Sequence, residues 1–403
     1  MSLQRSAKKP TLGTLVLIGF LTQFFISPLL TWNMWVLAIE ASLKCSRTEV
    51  SVPFFLASLL LGFSGVAMGF AVKRLGVYRS LLLSLLIMGL GLVLASRSRS
   101  LQELVTSFGM VYGLGVSIGS LSSLTLGSIL PKSGGTVTGV IATGVTIGMI
   151  SLLGLNEVLA NWRLELLIVG LSALAVGTVA MLHGRSSHGK CGEEPVESED
   201  DTHVPVEVKP IHMLKRPLFY LVWLSYMGAF LSGVFACAHL VPLAFKTISE
   251  ITPLASPVLF LALSNMVGRL ISGRLIDVVG RSWIYALYLL SILGCLTLLS
   301  TPALNSTSQL ALLLMGVVGV GSSYGGFIVS LPVMTRSFFG QDHLFINYGV
   351  LFTSYGLAGL LGSVIAGYIY DAMQSYSTML LLCIALNVVG MVLFKLASSL
   401  QGL

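Results

Sequence analysis

Ser264-Asn-Met-Val-Gly-Arg-Leu-Ile-Ser-Gly273 is an apolar, glycine-spaced stretch with an arginine near its middle. The residues on both sides are also apolar, so the stretch reads as part of a membrane-spanning helix. An ionised side chain near the bilayer centre costs at least ~2.5–3.5 kcal/mol on insertion scales, so it normally faces a cavity or a partner. Every other Lys and Arg can be placed near a helix end or in a loop. A lone cation inside a polytopic membrane protein points to an anion pathway.

Composition agrees with the membrane reading. Of 403 residues, 55% are hydrophobic and only 10% charged, against about 25% charged in a soluble domain. The 43 glycines suit helices that must approach closely where no hydrophobic force drives them together. Long apolar runs without a ten-residue alternation exclude a β-barrel. The net charge of +7 follows from basic residues at helix ends, so it reads as topology rather than as a nucleic-acid patch. Cys45, Cys191, Cys237, Cys295 and Cys383 are scattered, with neither a disulfide framework nor metal spacing. The basic N-terminus and the apolar run after it resemble a signal peptide. No small-x-small cleavage site follows, so the run reads as a first span.

Twelve apolar windows are predicted as spans: 13–41, 49–72, 78–97, 102–130, 135–161, 164–183, 217–245, 252–279, 282–300, 307–334, 343–370 and 376–399. With the N-terminus inside, sixteen Lys and Arg fall on the cytoplasmic side and six outside. That bias places both termini in the cytoplasm, and in a bacterium the membrane would be the plasma (inner) membrane. Residues 185–215 contain Gly192-Glu-Glu-Pro-Val-Glu-Ser-Glu-Asp-Asp201, too acidic and too poor in apolar residues to fold alone. This cytoplasmic acidic linker divides an N-terminal half, 1–184, from a C-terminal half, 216–403.

The halves repeat. Gly69-Phe-Ala-Val-Lys-Arg-Leu-Gly76 follows span two, and Gly273-Arg-Leu-Ile-Asp-Val-Val-Gly280 follows span eight. Gly139-Val-Ile-Ala-Thr143 and Gly349-Val-Leu-Phe-Thr353 are echoed in spans five and eleven. Parallel six-helix repeats point to a transporter with its site at the midplane between halves.

On these residues the chain resembles the major facilitator superfamily, which implies two six-helix bundles and alternating access. The resemblance makes the repeated loops the gating elements. These are Gly69, Lys73, Arg74, Gly76 and Arg79 in the first copy, and Gly273, Asp277, Gly280 and Arg281 in the second. Lys73 departs from the pattern, because an acid is expected there. Within the superfamily the chain is similar to the branch of oxalate/formate antiporters and monocarboxylate porters. Ser46-Arg-Thr-Glu-Val-Ser51, Asn161-Trp-Arg163, His239-Leu-Val-Pro242, Arg269, Ser323-Tyr324 and Asn347-Tyr-Gly349 carry that likeness in order. It departs at two places: Tyr355 stands where the oxalate/formate antiporter has a lysine, and Asn265 where monocarboxylate porters have an aspartate.

A guanidinium is planar and always charged, and it grips a carboxylate through two parallel hydrogen bonds. Arg269 is therefore the expected carboxylate anchor, the alternative being an arginine that snorkels or bonds a helix carbonyl. Asn265, one turn earlier, can orient it. Tyr355 and Tyr324 can donate to an anion or simply pack. Trp32 and Trp35 can wall the cavity or sit in an interfacial belt. His239 can carry a proton or join two helices. Asn33 and Tyr112 are lesser candidates. One fixed cation, with no Asp or Glu in the middle of a span, suits one carboxylate.

The expectation is a secondary transporter of a small organic anion, a monocarboxylate first of all, that works by alternating access as a monomer in the lipid bilayer. Protons or a counter-anion would couple it, with no cofactor, metal or nucleic acid. An exporter of a larger carboxylate-bearing product, and a non-transporting sensor or scaffold, stay open. No phosphate-cradling motif, paired carboxylates, nucleophile–base pair or metal cluster suggests an enzyme.

Overall fold

The computed structural model describes residues 12–128, 134–184, 208–247, 256–301, 306–340 and 343–401; within helices, the side chains of 64–74, 124–128, 134–136, 138 and 277, with a few near helix ends, are not described. Among the described residues there is no strand. The helices are α1 (Leu12–Phe24), α2 (Ser27–Leu30), α3 (Val36–Leu43), α4 (Arg47–Leu75), α5 (Val77–Ser96), α6 (Leu101–Leu104), α7 (Gly113–Ser128), α8 (Gly134–Leu159) and α9 (Trp162–Gly184). After the central segment come α10 (Pro210–Leu214), α11 (Pro217–Thr247), α12 (Pro257–Val279), α13 (Ser282–Ser300), α14 (Ser306–Phe339), α15 (Leu344–Gly359), α16 (Ala366–Met373) and α17 (Ser377–Gln401).

Among the described residues, eleven segments are long and apolar enough to cross a membrane. They match eleven of the twelve expected spans. The remaining one, 49–72, falls in the continuous 29-residue α4, part of whose side chains lie outside the description. Large apolar side chains such as Leu90, Leu171, Leu293 and Val392 face outward, whereas Ser51, Ser58, Ser84, Ser225 and Asn387 are buried. That inversion is what a lipid solvent selects, since interior polar groups bond across helices. The chain is a multi-pass integral membrane protein.

The first span is not one helix. It breaks after Phe24, again at the 3₁₀ turn Trp32–Met34, and resumes as α3. Pro28 explains the first break, because it has no N–H for the Phe24 carbonyl. Tyr112 takes up the freed groups: its hydroxyl accepts from Leu29 N at 3.2 Å and lies 3.1 Å from the carbonyls of Phe25 and Ile26. Tyr112 ends a π-helical turn, Val105–Tyr112, and a second π turn, Leu360–Ile365, joins α15 to α16. Such turns widen the helix and free a carbonyl.

The repeated loops end α4 and α12 in the same way. Gly76 and Gly280 adopt φ of +79° and +59°, which glycine tolerates at no steric cost. Arg281 donates to Ser337 Oγ at 2.7 Å and lies over the Phe338 ring. The side chains of Lys73, Arg74 and Asp277 are outside the described set, as is any contact of Gly69. Residues 185–207 of the expected linker are also outside it. The end of that linker is docked: Val208 N–H donates to Phe339 O at 3.1 Å, Asn347 Nδ2 donates to Val208 O at 2.9 Å, and Met213 is buried. These bonds tie the end of the expected linker to α14 and α15.

Candidate anion site

Arg269 sits on α12 where that helix meets α14 without intervening side chains. A Cβ on Gly268 would lie 2.0 Å from Ser322 O, and one on Gly325 would lie 2.1 Å from Asn265 O and 3.1 Å from Arg269 N. Glycines at these points let the two backbones touch, which fixes the height and rotation of Arg269. On α12, Val267, Leu270 and Ile271 face outward, while Asn265, Gly268 and Ser272 are buried. Arg269 follows Asn265 by one turn, so it belongs to the inner face.

Arg269 as a residue is half-buried, and its charged end is the part withdrawn from solvent. Nε donates to Asn265 Oδ1 at 2.8 Å, and a guanidinium has five N–H donors in all. The terminal nitrogens have no bonded carboxylate among the described residues, where the one ion pair joins Arg47 to Glu40. Tyr324, Tyr355, Cys237 and Tyr348 are the groups that feel the Arg269 charge. Tyr324 Oη and Tyr355 Oη are 2.9 Å apart. One hydroxyl hydrogen closes that bond, and Ser58 and Cys237 are the pair's other polar neighbours. Gly233 of α11 admits the Tyr324 ring, since a Cβ there would sit 2.2 Å from it. Tyr355 stacks on Phe352 at 5.2 Å, and Phe352 on Tyr348 at 5.5 Å. Arginine, hydroxyl pair and aromatic column thus come from α12, α14 and α15.

The first six spans pack against this half through the break in the first span. Asn33, in the break of the first span, donates from Nδ2 to Cys237 O at 2.9 Å. Trp32 is fully buried against Phe108 at 4.4 Å, and its Nε1 has no hydrogen-bond partner among the described residues. Ser58 of α4 faces Gly359 and also lacks a partner for its hydroxyl there. Neither Trp32 nor Trp35 lies in an exposed belt.

Some expected site residues are engaged elsewhere. Trp35 donates to Glu165 Oε2 at 2.7 Å, and Asn156 Nδ2 donates to Glu165 Oε1 at 3.0 Å. Glu165 is wholly buried, which its place just inside a span end did not signal. Tyr112 braces the first span. His239 is held by Tyr376 and Ser363 rather than by Arg269.

Residues to which the sequence assigned no role at the site close the end of the molecule where α3 gives way to α4. Arg47 pairs with Glu40, donates from Nη1 to Tyr376 Oη at 2.5 Å and lies 4.4 Å over the Tyr370 ring. Asp371 accepts from Arg47 N at 3.1 Å, Thr48 N at 2.8 Å and Thr48 Oγ1 at 2.6 Å. Gly367 allows this approach, since a Cβ there would meet Arg47 O at 2.7 Å. These bonds join the first six spans to the last six at this distal end. At the opposite end, two bonds among the described residues, Tyr78 to Ala180 O and Arg281 to Ser337, each lie within one half.

The comparisons agree with this architecture. The Major Facilitator Superfamily profile matches residues 12–343. The chain belongs to that superfamily. It is 25% identical over 363 residues to YhjX, an uncharacterised MFS-type transporter of Escherichia coli (strain K12), covering 86% of this chain and 85% of that one. It is 27% identical over 299 residues to monocarboxylate transporter 13 of Rattus norvegicus, covering 72% of this chain and 65% of the rat protein. Monocarboxylate transporter 12 of Xenopus laevis is 27% identical over 321 residues, with 72% and 68% covered. The chain is a transporter of the superfamily, whose members are generally not enzymes.

Proposed function

We propose that the protein carries small organic monoanions, with Arg269 as the carboxylate anchor. The observation that carries this reading is a guanidinium on the inner face of α12, bonded only to Asn265 among the described residues and flanked by the Tyr324–Tyr355 pair. A carboxylate would take the two parallel N–H groups of the fork, and a hydroxyl of the tyrosine pair would turn to the same anion. Phe352 and Tyr348 supply apolar contact for a short carbon chain. One cation balances one negative charge, so a second carboxylate would enter unpaired. The names of the monocarboxylate transporters support the substrate class.

The mechanism on this reading is alternating access, with the distal closure as one of its two gates and the repeated glycine loops at the other end. The positive-inside bias puts that other end in the cytoplasm. Uptake of labelled monocarboxylates into proteoliposomes tests the assignment. Arg269→Gln should abolish uptake, and unchanged uptake would reject the anchor. A carrier that moves no monocarboxylate but lowers host sensitivity to toxic carboxylates would establish the exporter reading instead.

A further inference from the structure

His239 is completely buried in α11, and its partners determine where its proton is. Nε2 lies 2.9 Å from the Ser363 carbonyl. A carbonyl only accepts, so Nε2 carries hydrogen. Nδ1 lies 3.2 Å from Tyr376 Oη. That hydroxyl oxygen already accepts from Arg47 Nη1 at 2.5 Å, and arginine only donates. In the neutral ring, hydrogen on Nε2 leaves Nδ1 bare, and the tyrosine's own hydrogen is then directed to it. The closed distal end thus holds a neutral imidazole of one tautomer.

The chain runs Glu40, Arg47, Tyr376, His239, Ser363 and crosses between the halves once, at the Arg47–Tyr376 bond. Its last acceptor, Ser363 O, lies in the π turn Leu360–Ile365 and is shared with the Ala366 N–H. Ser51 Oγ, 3.5 Å from Nε2, is itself committed to Arg47 O at 2.7 Å.

We propose that His239 is a proton-binding site whose occupation and distal closure exclude each other. A proton on Nδ1 would face a hydroxyl whose hydrogen then has nowhere to go, and it would set a second cation beside Arg47. The charged or titratable groups facing the ring are Arg47 from α4, Asp371 from α16 and Tyr376 from α17, with Glu40 of α3 behind Arg47. In water, carboxylic acids as a class titrate near pH 4, and arginine and tyrosine side chains near pH 10 or above. His239 is the one of the set whose charge changes between pH 5 and 8. Once the distal end opens and the ring is hydrated, it titrates near the ordinary imidazole value of about 6.5. Linkage then sets the direction: acid binds the open form and shifts the balance towards it. From pH 7.5 to 5.0 the open-to-closed ratio rises about 30-fold for one such group. The proposal needs the alternating-access reading only for its consequence, that the gate closes after the proton has left.

The test is a distance measurement by double electron–electron resonance. Spin labels are placed at exposed Ala41 and Ala372 in full-length, cysteine-depleted protein without substrate. The long-distance population should grow at pH 5.0 relative to pH 7.5. His239→Gln offers a donor to Ser363 O and an acceptor to Tyr376 but cannot take up a proton, so it should stay closed at both pH values. A distribution in the parent protein that ignores pH, or the same pH response in His239→Gln, would overturn the proposal. Should His239→Gln not reach the membrane, Tyr376→Phe decides alone. It should raise the open population at pH 7.5, and an unchanged distribution refutes the latch. No anion enters this measurement, so its failure leaves the role of Arg269 standing, and failure of the Arg269 uptake test leaves the latch standing.

Discussion

Arg269→Gln separates a binding arginine from a structural one, because the two roles predict opposite changes in stability. A carboxylate at about 4 Å from the guanidinium gains ~4 kcal/mol at an effective dielectric constant of about 20, or roughly a thousandfold in affinity. Glutamine removes the charge and should lose most of that factor. Arg269→Lys keeps the charge but loses the fork and the Nε bond to Asn265 (2.8 Å). It should keep weak binding, about ten- to a hundredfold below the parent. Thermal unfolding should move the other way. The described structure gives Arg269 no carboxylate, so the fold bears its desolvation without return, and glutamine can still bond Asn265. The apparent Tm of Arg269→Gln should equal or exceed the parent value, whereas anion-induced stabilisation should vanish. The assay is a thermal-shift series with monocarboxylates, paired with proteoliposome uptake. A variant that unfolds several degrees earlier yet still binds the anion would show a structural arginine and refute the reasoning.

Three further outcomes follow from the same geometry. Gly325→Ala should cost on the order of 1–3 kcal/mol or more, because its Cβ would meet Asn265 O at 2.1 Å, backbone that cannot swing aside. Lower thermal stability together with lost uptake checks this. Tyr355→Lys places a second cation near Arg269 and should shift preference from monocarboxylates to dicarboxylates, read by competition against labelled substrate. Cys45 sits in the α3–α4 connection, where burial and then the Glu40 and Glu49 charges push its thiol up to about 11. A raised pKa means less thiolate at a given pH, so alkylation at pH 8 should run roughly two orders of magnitude slower than for a free thiol. Glu49→Gln should speed it, as measured by mass spectrometry of alkylated peptide.

The sequence exposes what depends on local pattern. Apolar length gives the spans, and the Gly69–Gly76 and Gly273–Gly280 repeats mark two equivalent turns, whose second glycines both take positive φ. Arg269 stands out because a charge in lipid is costly wherever it occurs. Pairings between distant residues leave no such trace. Arg47 reads as one more charge at a span end, and nothing local joins it to Tyr376 or Asp371, more than 300 positions away. Glu165 reads the same way, yet it is buried on Trp35 and Asn156. The break in the first span was present as Pro28, but its repair by Tyr112 depends on a π turn that composition does not announce.

The two inner arginines show how the fold divides its cations. Arg47 uses Nε, Nη1 and Nη2 on Glu40 and Tyr376 and covers its face with Tyr370. Arg269 uses Nε alone among the described residues. Both are held at a seam between helices, so position does not explain the difference; the availability of acceptors does. A satisfied guanidinium resists separation, which suits a closure that must hold until it is disrupted. An unsatisfied one gains most from an acceptor that arrives and leaves. Moving it empty through lipid-enclosed space is unfavourable, whereas moving it with an anion is close to neutral. That asymmetry favours exchange or loaded return over an empty one. The corresponding measurement is efflux of preloaded label: external monocarboxylate should accelerate it, and equal efflux into anion-free buffer would exclude the obligatory load.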